Sequence, residues 1–335
     1  MSNIEKVIGI AVLIVVLVVA CIGILTLGSI VSKWKQKKIN PMAKFPRNPK
    51  GGTLSLDEQR AINVGAVLSE VNRDFCDSLE TSKTSAKKTI ADILARDWKI
   101  RSSQDAREVL ENLKDYGNRQ IFDIILKDAP KVLAPEHTFD SFQQVYNQTG
   151  LSILDKSILE EYADEAALLQ EHMDVLFNAS SFEEVERHKA LFGDEETFVI
   201  CMQIYQMLTG RCTAYVNYIN NLKQAMPELR KRGFVGDSSE LANLNIAAWD
   251  MGRMVNVARY SYDCGYIPES TAWKYIFLAE KKSAMCYRDW SDFGKAYVIG
   301  RAMWGGENLN QSVTMDTVQK LQKDAKSPWL LVPLK

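Results

Sequence analysis

Histidine is scarce in this 335-residue chain, and closely spaced cysteine pairs are absent. Both features limit the metal sites and catalytic sites that the chain could form. The three histidines, His137, His172 and His188, match neither H-E-x-x-H nor any other metal-ligand spacing. The six cysteines stand singly, without a C-x-x-C pair; they are Cys21, Cys76, Cys201, Cys212, Cys264 and Cys286. This pattern fits a reducing compartment and supplies no metal-ligand set. We therefore expect no metal site and no cofactor.

The motifs of the common enzyme classes are also missing. The chain contains no G-x-S-x-G, no G-x-x-x-x-G-K-[ST] and no G-x-G-x-x-G. Neighbouring carboxylates such as Glu160 and Glu161 point about 100° apart on a helix and usually lie on its solvated face. The sequence leans against an enzyme and leaves the question open.

Strong net charge is absent as well, because the total is −1. The charge is unevenly distributed: residues 1–54 carry eight Lys or Arg against the single acid Glu5, a net of +7. The remaining 33 basic and 41 acidic residues give 55–335 a net charge of −8. An acidic domain is a poor match for a nucleic-acid backbone, so we expect no nucleic-acid partner.

One long apolar run is present at the start of the chain. Residues 7–31 contain no charged side chain and are mostly Val, Ile and Leu. At about 1.5 Å per residue they are long enough to cross a bilayer, which predicts a transmembrane helix. The short tail before it, 1–6, lacks the basic character of a cleaved signal. An alternative stays open, since Val18 to Cys21 resembles a lipobox in which Cys21 would be lipidated.

The segment after this run predicts the orientation of the chain. Residues 33–38 read Lys-Trp-Lys-Gln-Lys-Lys, and short basic segments are retained in the cytoplasm. Prolines and paired glycines within 32–54 break helices, which predicts a linker. We expect a single-pass protein of the inner membrane with a short extracytoplasmic tail and residues 55–335 in the cytoplasm.

Residues 55–335 show apolar spacing of three to four throughout and no alternating strand pattern. The sequence predicts an all-α domain of about ten helices. The first helix should begin after the capping-box sequence at Ser55 and run to about Leu79. Continuous helical patterns follow at 151–176, 195–226 and 241–262.

Aromatic residues and arginines are concentrated between Trp249 and Trp304. Helical spacing places Trp249, Arg253 and Asn256 on one face, and Tyr297, Arg301 and Trp304 on the face of a later helix. The candidate cluster consists of Trp249, Asp250, Arg253, Asn256, Arg259, Trp290, Tyr297, Arg301 and Trp304. We expect Arg253 and Arg301 to meet in one cluster across packed helices.

Arginines in an aromatic surface need a partner, because burying an unpaired guanidinium is costly. Nearby acids could fix them as structural ion pairs; the candidates are Asp250, Asp263, Asp289 and Asp292. Alternatively, Arg253, Arg259 and Arg301 could line a pocket for an anion, or they could simply be exposed. Close helix packing is predicted at Gly252, Gly294 and Gly300, which lack a side chain.

Three consecutive patterns in this segment match a known family. They are A-W-D-x-G-R-x-x-N-x-A-R from Ala248, G-Y-I-x-E-x-x-A-W from Gly265, and D-W-x-x-F-x-x-x-Y-x-x-G-R-x-x-W from Asp289. With an upstream block that includes Trp98, Gly117 and Arg119, residues 90–304 resemble the bacterial domain-of-unknown-function 1266 family. The resemblance implies no activity and no cofactor.

Two functions remain after these exclusions. The first is a membrane-anchored module that binds a protein partner at the inner face of the membrane. The second is a protein that binds a small molecule or a nucleotide phosphate and uses the arginine and tryptophan cluster as an anion pocket. For this second function the sequence leaves open whether the protein is an enzyme. An open cavity lined by the arginines would favour the second function, and a sealed cluster would favour the first.

Overall fold

A computed structural model describes residues 45–50, 54–82 and 87–335. Within these ranges the regular elements are helices and no strand occurs, which confirms the all-α prediction. The tail 1–6, the membrane helix 7–31 and most of the linker 32–54 lie outside the described residues. Among the described helices, none combines the length and apolar character needed to cross a bilayer.

The α-helices of the described residues are numbered here in chain order. They are α1 (Leu56–Asn63), α2 (Ala66–Asn72), α3 (Lys87–Asp97), α4 (Ser103–Asp115), α5 (Arg119–Lys127), α6 (Ala129–Val132), α7 (Phe142–Thr149), α8 (Lys156–Glu161), α9 (Ala163–Glu171), α10 (Met173–Asn178), α11 (Phe182–Arg187), α12 (Glu195–Lys231), α13 (Ala247–Asp263), α14 (Glu269–Cys286), α15 (Trp290–Gly305), α16 (Leu309–Lys323) and α17 (Pro328–Leu331). Short 3₁₀ turns cover Gly150–Ile153, Lys189–Phe192 and Ser238–Asn243.

The prediction of about ten helices was too low, because several continuous patterns are divided. The stretch 151–176 forms a 3₁₀ turn and three short helices, with interruptions at Tyr162 and His172. Apolar residues keep helical spacing across such interruptions, so periodicity alone does not reveal them. The helices are therefore shorter and more numerous here than expected.

The first predicted helix was also too long. The capping box at Ser55 and Glu58 is present, and α1 ends at Asn63. The chain then turns at Gly65, whose added Cβ would lie 2.7 Å from a Val255 side-chain carbon. Helix α2 ends at Asn72, and its C-cap Arg73 has a left-handed φ of 65°, so this helix stops before Leu79.

Part of the predicted linker is folded onto the domain. Phe45 is buried, and the Lys320 ammonium lies 4.4 Å from the centroid of its ring. The Pro46 carbonyl accepts a hydrogen bond from the Cys76 amide at 2.9 Å. Residues of 45–50, which the sequence assigned to the linker, therefore pack against the helical domain.

Helix α13 lies at the centre of the unit and is buried on nearly all sides. It packs against α14, α4 and α15. Close packing depends on the predicted glycines: a Cβ on Gly300 would lie 2.5 Å from Trp249 Cβ, and one on Gly252 would lie 2.6 Å from the Tyr297 ring. The small residues let α13 and α15 approach, which brings their aromatic and arginine side chains together.

Candidate anion site

A cavity of about 450 Å³ lies among α2, α3, α13, α15 and α16. Helix α13 contributes Trp249, Arg253, Asn256, Val257 and Tyr260, and α15 contributes Tyr297, Arg301 and Trp304. The remaining lining residues are Val67, Leu68, Val71, Asn72, Ile93, Arg96, Asp97, Trp98, Asn310, Val313 and Thr314. Arg253 and Arg301 thus line the same cavity, and Trp304 is 49% exposed at its rim.

Arg253 is held by a carboxylate and two aromatic rings. Its Nη2 donates to Asp250 Oδ1 and, at 2.5 Å, to Asn118 Oδ1. The guanidinium carbon lies 4.6 Å from the centroid of the Trp249 ring and 5.5 Å from that of Trp98. Cation–π contact and an ion pair together satisfy this charge, as the structural interpretation expects.

Asp250 is fully buried and does not line the cavity. Its carboxylate also accepts hydrogen bonds from the backbone N–H of Asn118 at 3.1 Å, from the backbone N–H of Arg119 at 3.0 Å and from Arg119 Nη1 at 3.1 Å. Gly117 lies against it with φ of 60°, and an added Cβ would clash with the carboxylate. Asp250 therefore links the start of α5 to α13, and it holds the Arg253 guanidinium without itself lining the cavity.

Arg301 has a different environment. It is 7% exposed, its Nη1 has no hydrogen-bond partner, and its Nη2 reaches only Asn308 Oδ1 at 3.4 Å. Residues 45–50, 54–82 and 87–335 provide no acid within ion-pair distance of it. Its one cation–π contact is with Trp304, at 5.1 Å. Burial lowers the pKa of Arg301, and Tyr297 opposes this effect.

Tyr297 lies one turn before Arg301 on the same face of α15 and lines the same cavity. Its side chain is 1% exposed, and its hydroxyl has no hydrogen-bond partner among the described residues. Burial raises the pKa of Tyr297, so the hydroxyl remains a donor at neutral pH. Tyr297 and Arg301 therefore line one cavity, although the hydroxyl and Nη1 atoms that lack partners are themselves buried.

Arg259 is not part of this cavity, contrary to the pocket interpretation. It is fully buried and donates to Ser69 Oγ in α2 and to four carbonyls of the loop after α2, those of Phe75, Ser78, Leu79 and Glu80. Desolvation lowers the pKa of Arg259, and Asp74 is the largest opposing influence. Arg259 holds the loop in place through carbonyl oxygens rather than through an ion pair.

Trp290 also lies away from the cavity. Its ring stacks on Trp329 at a centroid distance of 5.3 Å, and its Nε1 donates to the Val332 carbonyl at 2.9 Å. Asn256 does line the cavity, but its amide is used by the Gly65 carbonyl and by Ser69 Oγ. These two residues contribute to packing, and the free donors belong to Tyr297 and Arg301.

The other acids considered as partners bind elsewhere. Asp263 accepts from the Thr81 amide at 3.0 Å, Asp289 caps α15, and Asp292 pairs with Arg288 at 2.6 Å. Asp250 is the one of the four that pairs with a cavity arginine. The two arginines therefore differ: Arg253 is structurally paired, and Arg301 is not.

Three neighbours of the cluster were not selected from the sequence as site residues. Trp98 contacts Arg253, Asn118 accepts from it, and Arg119 shares its carboxylate partner. Trp98 and Arg119 were already in the upstream block of the family resemblance. Their place in the upstream block was the available signal, since two blocks of one family pattern can contact each other.

A second cavity of about 530 Å³ adjoins the first. Asp97, Trp98 and Arg253 line both, so the cation–π pair of Trp98 and Arg253 separates them. The second cavity also receives Arg211, which is paired with Asp155 at 2.5 Å. In the part of the chain that the structure describes, no group of three or more His, Cys, Asp or Glu is placed to hold a metal.

Comparison with known proteins identifies the family of this chain. No curated protein and no solved structure matches it. A family model does match, over residues 93–334, so the likeness extends past residue 304, where the resemblance was expected to end, and includes Trp329. The match covers most of the chain, which therefore belongs to the family described as "Protein of unknown function (DUF1266)".

Proposed function

We propose that this domain binds a small anionic molecule in the cavity between α13 and α15. The observation that carries the proposal is Arg301, a buried cation with an unused donor and no acid in ion-pair distance among the described residues. A buried guanidinium without a partner is costly, and an anion would remove that cost. The cavity volume is also within the range typical of small-molecule sites.

Structural ion pairing accounts for the buried charge of Arg253 but not for that of Arg301. Arg253 has Asp250, Asn118 and two tryptophan rings as partners. Within the described part of the chain, Arg301 has one cation–π contact and one long hydrogen bond. The two side chains line the same cavity, so Arg253 forms part of its wall while Arg301 supplies the charge for the ligand.

The experiment is a ligand screen by thermal unfolding of the full chain in lipid nanodiscs. The panel contains acetate, 3-phenylpropanoate, octanoate, inorganic phosphate, phenyl phosphate and adenosine monophosphate. We expect at least one anion to raise Tm in the wild type and not in Arg301→Gln, because binding to the native state alone stabilises it. Arg288→Gln is the matched control, since Arg288 is an exposed arginine just before α15. A flat panel, or a shift that Arg301→Gln retains, contradicts the proposal.

We also infer that residues 7–31 anchor the chain in the inner membrane with the helical domain in the cytoplasm. The support is the uncharged apolar run and the basic segment 33–38 that follows it. A protein partner at that surface stays a prediction. The anchor and the anion site are independent, so either can be tested without the other.

A further inference from the structure

A groove of about 440 Å³ lies where α10 and α11 meet the first turns of α12. Leu176, Val185 and Phe198 line it and are buried. Phe182 and Val199 line it as well, and they are 60% and 44% exposed. In the part of the chain that the structure describes, the groove therefore leaves large apolar side chains accessible to solvent.

The side of α12 that continues from the groove is exposed but carries no charge. The exposed positions within 197–210 are Val199, Gln203, Gln206, Met207 and Gly210, and the stretch contains no Asp, Glu, Lys or Arg. The solvent-facing side of a surface helix ordinarily carries charged residues. We call these five positions the uncharged face of α12. Their composition is typical of a helix side that another molecule covers.

The uncharged face has the length of a helix-binding surface. Val199 and Gly210 are 11 positions apart on α12, a rise of about 16 Å at about 1.5 Å per residue. A second helix would cover this length in about three turns, which is enough for apolar anchors at i, i+4 and i+7. An added Cβ on Gly210 would meet nothing within 4 Å, so a second backbone can approach closely there.

The acidity of the domain is concentrated around this surface. Residues 171–206 contain eight Asp or Glu and two Lys or Arg, a net charge of −6, which leaves only −2 for the rest of the domain. The exposed Glu186 lies one helical turn after Phe182, and the exposed Glu196 lies one turn before Val199. An apolar groove with acids at its edge is complementary to a molecule that is both apolar and basic.

We propose that the groove and the uncharged face of α12 bind a basic amphipathic helix of a partner protein. Its apolar side would lie on Phe182, Val199 and Met207, with its Lys or Arg side chains beside Glu186 and Glu196. An anionic membrane surface fits less well, because it would repel a region of net charge −6. Two copies of this chain would bring like charges together if the same surface were used by both.

This surface is separate from the anion cavity, since the two share no lining residue. The test is fluorescence anisotropy with the full chain in phosphatidylcholine nanodiscs and with empty nanodiscs as background. The probe is a fluorescein-labelled helical peptide of about four turns, with leucine on one side and lysine on the other. One control peptide has the same composition in shuffled order, and the other has glutamate in place of lysine. We expect the probe to bind at least about tenfold more tightly than either control.

Variants connect the binding to the named surface. Met207→Lys places a positive charge on the uncharged face and should weaken the probe about tenfold. Phe182→Ala removes an exposed apolar contact and should weaken it at least about fivefold. Glu186→Gln with Glu196→Gln should weaken it two- to fivefold, roughly, and reduce its salt dependence. Met285→Lys is the matched control, because Met285 is an exposed methionine on α14, and this variant should bind as the wild type does.

Every other result overturns the proposal. Equal binding of the shuffled peptide would exclude recognition of an amphipathic helix, and equal binding of the glutamate peptide would exclude a basic partner. Equal loss in Met207→Lys and Met285→Lys would place the binding elsewhere. Self-association of the wild type that Met207→Lys abolishes would assign the surface to a second copy. Slower amide exchange at 197–210 in nanodiscs with anionic lipid, without peptide, would assign it to the membrane.

Discussion

Asp250 Oδ2 lies 3.1 Å from Nη1 of Arg119, a residue 131 positions earlier in the chain. The same oxygen accepts the Arg119 amide, and the other carboxylate oxygen accepts the Arg253 guanidinium. One buried acid therefore pairs with two arginines from separate parts of the family match. Loss of this carboxylate would leave both guanidinium groups without a counter-charge.

Replacing Asp250 with Asn should destabilise the domain by roughly 3–5 kcal/mol, because two buried guanidinium groups lose their counter-charge. The measurement is chemical unfolding of the full chain followed by tryptophan fluorescence. Asp292→Asn is the control, since Asp292 pairs with the exposed Arg288 and should cost less than about 1 kcal/mol. Equal, small effects of the two changes would contradict the role assigned to Asp250.

Arg259 and Arg301 should respond in opposite ways to truncation. Arg259→Ala leaves several buried carbonyls without a donor and should destabilise the fold by about 3 kcal/mol or more. Arg301→Ala removes an uncompensated buried charge and should leave Tm unchanged or raise it in the absence of ligand. A large loss of Tm for Arg301→Ala would show that Arg301 has a structural partner.

Gly300→Ala should destabilise the domain by about 1–3 kcal/mol, because the new Cβ would lie 2.5 Å from Trp249 Cβ in a packed core. Gly210→Ala is a matched control inside α12, where an added Cβ meets nothing within 4 Å. There the substitution should stabilise the helix by roughly 0.5–1 kcal/mol. Denaturant midpoints of the two variants should therefore move in opposite directions.

Asp74 should make stability depend on pH. Burial raises the pKa of this carboxyl to about 6, against the influence of Arg259 and the Tyr260 hydroxyl that donates to it at 2.7 Å. The native state then binds more protons than the unfolded state between about pH 4 and pH 6, so this group lowers stability as pH rises through that range.

The matched variant for this effect is Asp74→Asn, which cannot titrate. The difference in unfolding free energy, variant minus wild type, should rise by up to about 3 kcal/mol between pH 4 and pH 6.5 and then level off. Unfolding curves at half-unit steps measure it. A difference that is constant with pH would show that Asp74 keeps its ordinary pKa in the folded protein.

Reporter fusions at the C-terminus test the proposed orientation. We expect a green fluorescent protein fusion to be fluorescent and an alkaline phosphatase fusion to be inactive, because the basic segment 33–38 keeps the domain inside. Changing its four lysines to glutamine should weaken that preference. Phosphatase activity with a dark fluorescent fusion would reverse the topology and favour lipidation at Cys21.

Part of the site could be predicted because it lies on single helices. Spacing of three and four placed Trp249, Arg253 and Asn256 on one face of α13, and these residues do line the cavity. Gly265, just after α13, has a left-handed φ of 74°, the conformation in which glycine commonly follows a helix. Local geometry follows from the order of residues, so these features could be found without a structure.

Partners between helices could not be predicted in the same way. Arg259 and Arg301 look alike in the sequence. In the structure, Arg259 donates to carbonyl oxygens of a loop, whereas Arg301 has no acid near it among the described residues. Their difference depends on which elements pack against α13 and α15. Periodicity carries no information about that choice, nor about the interruptions at Tyr162 and His172.

The first cavity is lined by residues from 67–98 and from 249–314, and the whole of 99–248, which the structure describes, contributes none. That intervening segment includes the short helices α6 to α11, and its ends are fixed by the contact of Arg119 with Asp250 on one side and by α13 on the other. Loop length has only a small energetic effect once its ends are fixed. Within it, the short helices α6 to α11 can change in number and length at less cost than α4 and α12, which pack against α13 and α15, so we expect relatives to differ most in length there.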